Sequence, residues 1–245
     1  MYNNATIIAL AWPNTKVVKE GKWYDIPMKW LGVIKNNYYN AGHAAFLLIN
    51  HQNSNVHYFD YGRYHTPIYH GRVRDKETDP DVAVNLKAEI KNKMIVNIEQ
   101  LLLDRFNNKA CHGEGKLTAA IVKNIHFEKA FKKAKEMQNR EAIPYGPFQA
   151  KGSTCSRFVT QVVVASSNNW LTKLLIQLPY TISPTPRSNN KVLNECSHFY
   201  EVVDGKIIQK RSKFYGFKKL LLPKKHYSIR MDENVSSIYL VSETA

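Results

Sequence analysis

At 245 residues, 44% hydrophobic and 11% aromatic, the chain has enough apolar material for a core and falls outside the disordered class. No apolar run reaches membrane-spanning length, and ATIIALAWP is too short and lacks the basic flank of an export signal; a cytoplasmic setting is expected. The formal charge of +15 points to an acidic partner or to solvated basic faces, and no nucleic-acid motif accompanies it.

In chain order, Thr6–Trp12 and Gly32–Ile34 read as short strands around a polar loop. GHAAFLLIN is a nearly continuous apolar run, suited to a strand buried on both faces. His51 to Asn55 follow as a turn, and VHYFDYGRY returns as the second strand of a hairpin. From Asp79 the register changes, with Ile98, Leu101, Leu102 and Phe106 at helical spacing. KLTAAIVKNIHFEKAFKKAKEMQNR reads as helical for most of its length. A second helix begins at Cys155, PYTISPTPRSNN is a proline-rich loop, SHFYEVVDGKIIQKR turns at Asp204-Gly205 as a hairpin, and SIYLVSE is a last strand. With no repeat, linker or low-complexity tract, a single α+β domain over 1–245 is expected.

Three cysteines at wide spacing do not make a disulfide framework. Cys155 stands apart because Ser153 or Thr154 can cap its helix, placing it in the first turn. There the helix dipole and unpaired N–H groups favour a thiolate. Phe158, Val159, Val162 and Val163 share its face, so the thiol is directed along the packed side. His43, in an apolar strand, is the candidate base that takes the thiol proton, and a third polar group would fix its tautomer. Hairpin parity with an even loop puts Asp60 opposite or diagonal to His43 on one face. A one-residue slip would bring Phe59 or Tyr61 alongside and set His57 on that face farther along. Asp60 is favoured over His57.

PYGPFQAKGSTCSRFVTQVV resembles the segment of NlpC-like cell-wall peptidases in which a tyrosine precedes a cysteine at a helix start. GHAAFLLIN precedes that cysteine, an order similar to the circularly permuted branch, which includes lecithin–retinol acyltransferase-like proteins and permuted bacterial hydrolases. The resemblance implies a papain-like fold whose cysteine helix packs on an antiparallel sheet carrying the histidine. It implies Cys155 as nucleophile, His43 as base, Asp60 (or His57) as the orienting residue and Tyr145 as a site-lining group assisting the oxyanion. The substrate implied is a peptide, a cell-wall peptide or an acyl group, with no cofactor and no metal.

GRYHTPIYHGRVR gathers Arg63, Arg72 and Arg74 with His65 and His70 just beyond the presumed orienting strand, where they could clamp an acidic group of a substrate. Cys111-His112 and Cys196-Ser197-His198 lack paired metal-ligand spacing. Two functions stand at this point. One is a thiol hydrolase acting on an amide or ester; the other is a non-catalytic basic module on the same fold that binds an anionic polymer or lipid.

Overall fold

A computed structural model describes residues 3–18, 42–149, 151–177 and 185–221, with short pieces at 26, 30, 34–35, 38–39, 227–230 and 239–242. It is a mixed α+β fold built on one large antiparallel sheet. The sheet strands are β1 (Ala5–Trp12), β2 (His43–Asn50), β3 (Val56–Gly62), β4 (His70–Arg74), β5 (Leu117–Ile125), β6 (Ile143–Pro144), β7 (His198–Val203) and β8 (Lys206–Arg211). Their spatial order is β6-β4-β3-β2-β1-β5-β7-β8. The two most continuous apolar runs, β1 and β2, lie at the centre and are buried along their whole length. That is what an all-apolar strand requires, since neither of its faces can meet water.

Each face of the sheet carries its own core. Phe46, Leu48, Phe59 and Tyr61 face one side, with Phe158, Val159 and Val162 packed over them. Leu47, Ile49, Tyr58, Leu101 and Leu102 fill the other. The first side is covered by α2 (Phe127–Gln138), α3 (Cys155–Ser166) and α5 (Pro186–Leu193), and the second by α1 (Ile98–Asn107); α4 (Trp170–Gln177) and α6 (Lys213–Leu221) complete the helices used below.

Several expectations need correction. KLTAAIVKNIHFEKAFKKAKEMQNR is half strand: Leu117–Ile125 pairs with β1, and the helix begins only at Phe127. Burial in the sheet interior overrides the helix propensity of its alanines and lysine. The proline-rich stretch from 179 becomes helical at Pro186, because Thr185 caps that helix and proline is tolerated in its first turn; its first six residues lie outside the described ones. The Gly32–Ile34 strand is described only at Ile34, within a short strand Ile34–Lys35. The Asp204-Gly205 hairpin is present, both residues taking the positive φ its turn needs. Tyr239–Ser242 pairs with Tyr227–Arg230.

Candidate functional site

The β2–β3 register sets the first part of the site. Ala45 pairs with Asp60 and Leu47 with Tyr58, so Asp60 is diagonal to His43 on the same side of the sheet. His43 Nε2 lies 3.3 Å from Asp60 Oδ2, and the imidazole stacks on Trp12 from β1, with ring centroids 5.8 Å apart. His57 instead faces Leu48 across the hairpin and sits between the rings of Phe127 and Phe131. It is not beside His43.

The thiol arrives from the helix side. Thr154 is the cap of α3, its hydroxyl accepting the Arg157 N–H, and Cys155 is the first helical residue. Phe158 anchors the helix by packing on Phe46. His43 is the first residue of its strand, so its imidazole at the end of β2 can be reached from the helix-covered side. There the Cys155 sulfur comes near enough to the imidazole and to the Ala44 N–H for each to bias its charge. Tyr145, just after β6, stacks on Tyr61 and feels the charge of the same sulfur. Arg63 lies over the outer part of this group, its guanidinium 5.5 Å from the Tyr145 ring centre.

Charge follows from these contacts. Burial alone would depress the imidazole, but Asp60 and Cys155 outweigh it and lift His43 to about 9. Burial alone would raise the thiol; the His43 contact and the Ala44 N–H reverse this and bring Cys155 below its ordinary value. An imidazolium beside a thiolate is the state both shifts favour. Burial and the adjacent sulfur hold the Tyr145 hydroxyl well above its usual range, so it remains a proton donor.

Asp60 is fully buried, and more donors converge on it than the sequence indicates. Arg74 forks onto both oxygens at 3.0 and 2.6 Å, Tyr58 donates at 2.9 Å and Tyr64 at 3.1 Å. Burial opposes ionisation, but these bonds and the guanidinium keep the carboxyl well below the usual carboxylate range. Gly62 leaves room for this cover, since a Cβ there would fall 2.4 Å from the Tyr64 ring. Tyr58 had a signal in the sequence, standing two residues before Asp60 on one strand face. Tyr64 and Arg74 had none that assigns them to Asp60.

The basic cluster does not gather as expected. Arg74 is inside the protein on Asp60 and cannot clamp a substrate. Arg72 is held bidentately by Asp79 and donates to the Tyr64 carbonyl. His70 Nδ1 donates to the Ile68 carbonyl, and His65 is exposed. Only Arg63 adjoins the Cys155 neighbourhood. All three cysteines are free. Among the described residues no group of three or more His, Cys, Asp or Glu converges as a metal site, and no helix is long and apolar enough to cross a membrane.

Residues 7–171 match the family model described as type VI secretion system effector TseH-like. In structure, the chain is similar to the crystal structure of the type VI secretion system effector TseH, with a TM-score of 0.57 and 16% identity over 86% of this chain and 100% of that one. At that identity the likeness is one of fold. No curated protein matches in sequence.

Proposed function

The chain belongs to the TseH-like family of type VI secretion system effectors, and from that premise we propose that it is a papain-like, circularly permuted thiol hydrolase cleaving an amide in a peptide or cell-wall peptide. The observation that carries this reading is a helix-start cysteine beside a histidine whose Nε2 faces a buried, ionised aspartate.

In this reading the Cys155 thiolate attacks the substrate carbonyl carbon. The developing oxyanion is met by N–H groups of the first turn of α3 and by the Tyr145 hydroxyl. His43, protonated at this stage, gives its proton to the leaving amine as the C–N bond breaks and a thioester forms. A water then attacks the thioester; His43 takes its proton, and the acid product leaves as the thiolate is restored. Asp60 holds the imidazole in orientation and stabilises its charged form. Arg63, beside Tyr145, suits an acidic group on the substrate.

The test is release of fragments from isolated cell-wall peptides, read by mass spectrometry, with Cys155→Ala as comparison. Activity that disappears in Cys155→Ala while the melting temperature is kept supports the proposal. No release from cell-wall peptides, unrelated peptides or activated esters, together with a Cys155 no more reactive to iodoacetamide than Cys111, would leave the basic binding module as the reading.

A further inference from the structure

The row of buried side chains does not end at Asp60. We propose that Arg74 is a positioning residue for the candidate site: its guanidinium fork fixes the Asp60 carboxylate against His43, and its charge completes an alternating row that allows Cys155 to stand as a thiolate. The proposal rests on the thiol-hydrolase reading above and adds to it the group that balances the site.

The geometry is that of a built support. Arg74 is 3% exposed. It spends Nε on Asp60 Oδ1, shares Nη2 between Asp60 Oδ2 and the Ala110 carbonyl at 3.0 Å, and lies 3.5 Å from the centre of the Tyr64 ring. The Tyr64 hydroxyl in turn reaches both Asp60 Oδ2 and His43 Nε2, at 3.1 and 3.4 Å. The carboxylate therefore cannot rotate without breaking bonds on two sides, and the oxygen facing His43 is fixed.

The charges run Cys155 negative, His43 positive, Asp60 negative, Arg74 positive, which sum to zero along a row of buried side chains. Removing the guanidinium leaves a net negative row. In a low-dielectric site such an excess is relieved by taking up a proton, and the thiolate is more basic than the carboxylate. Neighbouring groups do not replace Arg74. Tyr58 and Tyr64 are neutral donors. Arg105, near the Tyr58 ring, is held by Asp104 and the Val82 and Ala83 carbonyls. Cys111 adjoins Arg105. His112, stacked on Tyr64 and near Asp81, is pushed down by burial and by Arg74, and so is neutral above pH 7. On the thiol side stand Tyr145 and Arg63.

The experiment follows iodoacetamide alkylation of Cys155 in the full chain by peptide mass, at pH values on both sides of the wild-type midpoint, and needs no substrate. Arg74→Met is expected to move the profile up by about one pH unit, which slows alkylation by about tenfold at pH values below the wild-type midpoint. Arg74→Lys, which keeps the charge but not the fork, should restore part of the shift. A profile for Arg74→Met that superimposes on the wild type, or a lysine that restores nothing, overturns the proposal. His43→Gln separates the two readings. If it leaves the profile unmoved, the thiol-hydrolase reading has failed; if it shifts the profile while Arg74→Met does not, only the role of Arg74 has failed. Should Arg74→Met not fold, comparing Asp60→Asn with Asp60→Asn/Arg74→Met carries the test. Loss of Arg74 must again move the profile upward, and an unchanged profile refutes it.

Discussion

The shifts of Cys155 and His43 act on stability with opposite signs. His43, lifted to about 9, keeps in the folded state a proton that an unfolded histidine releases near 6.5. Its contribution is full below about 6.5 and is lost as pH rises toward 9. The lowered Cys155 thiol has already given up a proton that the unfolded thiol retains, so its contribution grows as pH rises toward the range in which the unfolded thiol ionises. The two oppose each other. We expect the melting temperature of the wild type to fall less steeply with rising pH than that of a chain lacking the thiol. In Cys155→Ala only the histidine remains, still raised by Asp60, and the melting temperature should fall with rising pH. Parallel profiles for the two proteins would contradict this. At this scale the sequence was legible where side-chain direction is local. The strand period of two put Asp60 on the His43 face and Tyr58 beside it. Arg74 read as part of a basic cluster able to clamp an acidic substrate group, because its pairing with Asp60 depends on how β4 lies against β3, which no local pattern records.

Among the elements, α3 positions the thiol through its cap and its anchor. Thr154 accepts the Arg157 N–H, and Phe158 and Val162 bury the following turns against the sheet. Replacing Thr154 with alanine removes one satisfied donor, a loss of about 1 kcal/mol by the usual cost of a cap. Chemical denaturation should show that loss, and Thr154→Ser should recover most of it; a Thr154→Ala chain as stable as the wild type would mean that the helix start is held by packing alone. The helix was readable because cap, apolar stripe and cysteine occupy consecutive turns. Leu117–Ile125 was not. Its alanines and lysine fit a helix, and only its place between β1 and β7 makes the extended form the better buried one.

For the molecule as a whole, the +15 charge is what 35 basic residues leave over 20 acidic ones, and several of those acids are paired in the fold. Asp60 takes Arg74, Asp79 takes Arg72, Asp75 and Glu77 take Lys135, and Glu201 takes Lys116 and Lys210. Arg63 is the cation placed beside the candidate site, on the Tyr145 ring. If it captures an acidic substrate group, Arg63→Ala should raise KM with little change in kcat and flatten the salt dependence of kcat/KM, since screening acts over about 8–10 Å at physiological ionic strength. An unchanged KM and salt slope would show that the charge serves another purpose.

The central place of β2 has one more consequence, for how the chain folds. His43 lies in a strand whose partners come from both directions along the sequence, β1 before it and β3 after, and β1 in turn pairs with β5. Cys155 is supplied by a segment more than a hundred residues farther on. Contacts of such high sequence separation form late, after the loop-closure entropy of the intervening chain has been overcome. A partly folded or extended chain therefore holds Cys155 and His43 apart, and the mutual shifts of their charge states arise only as the last long-range contacts close.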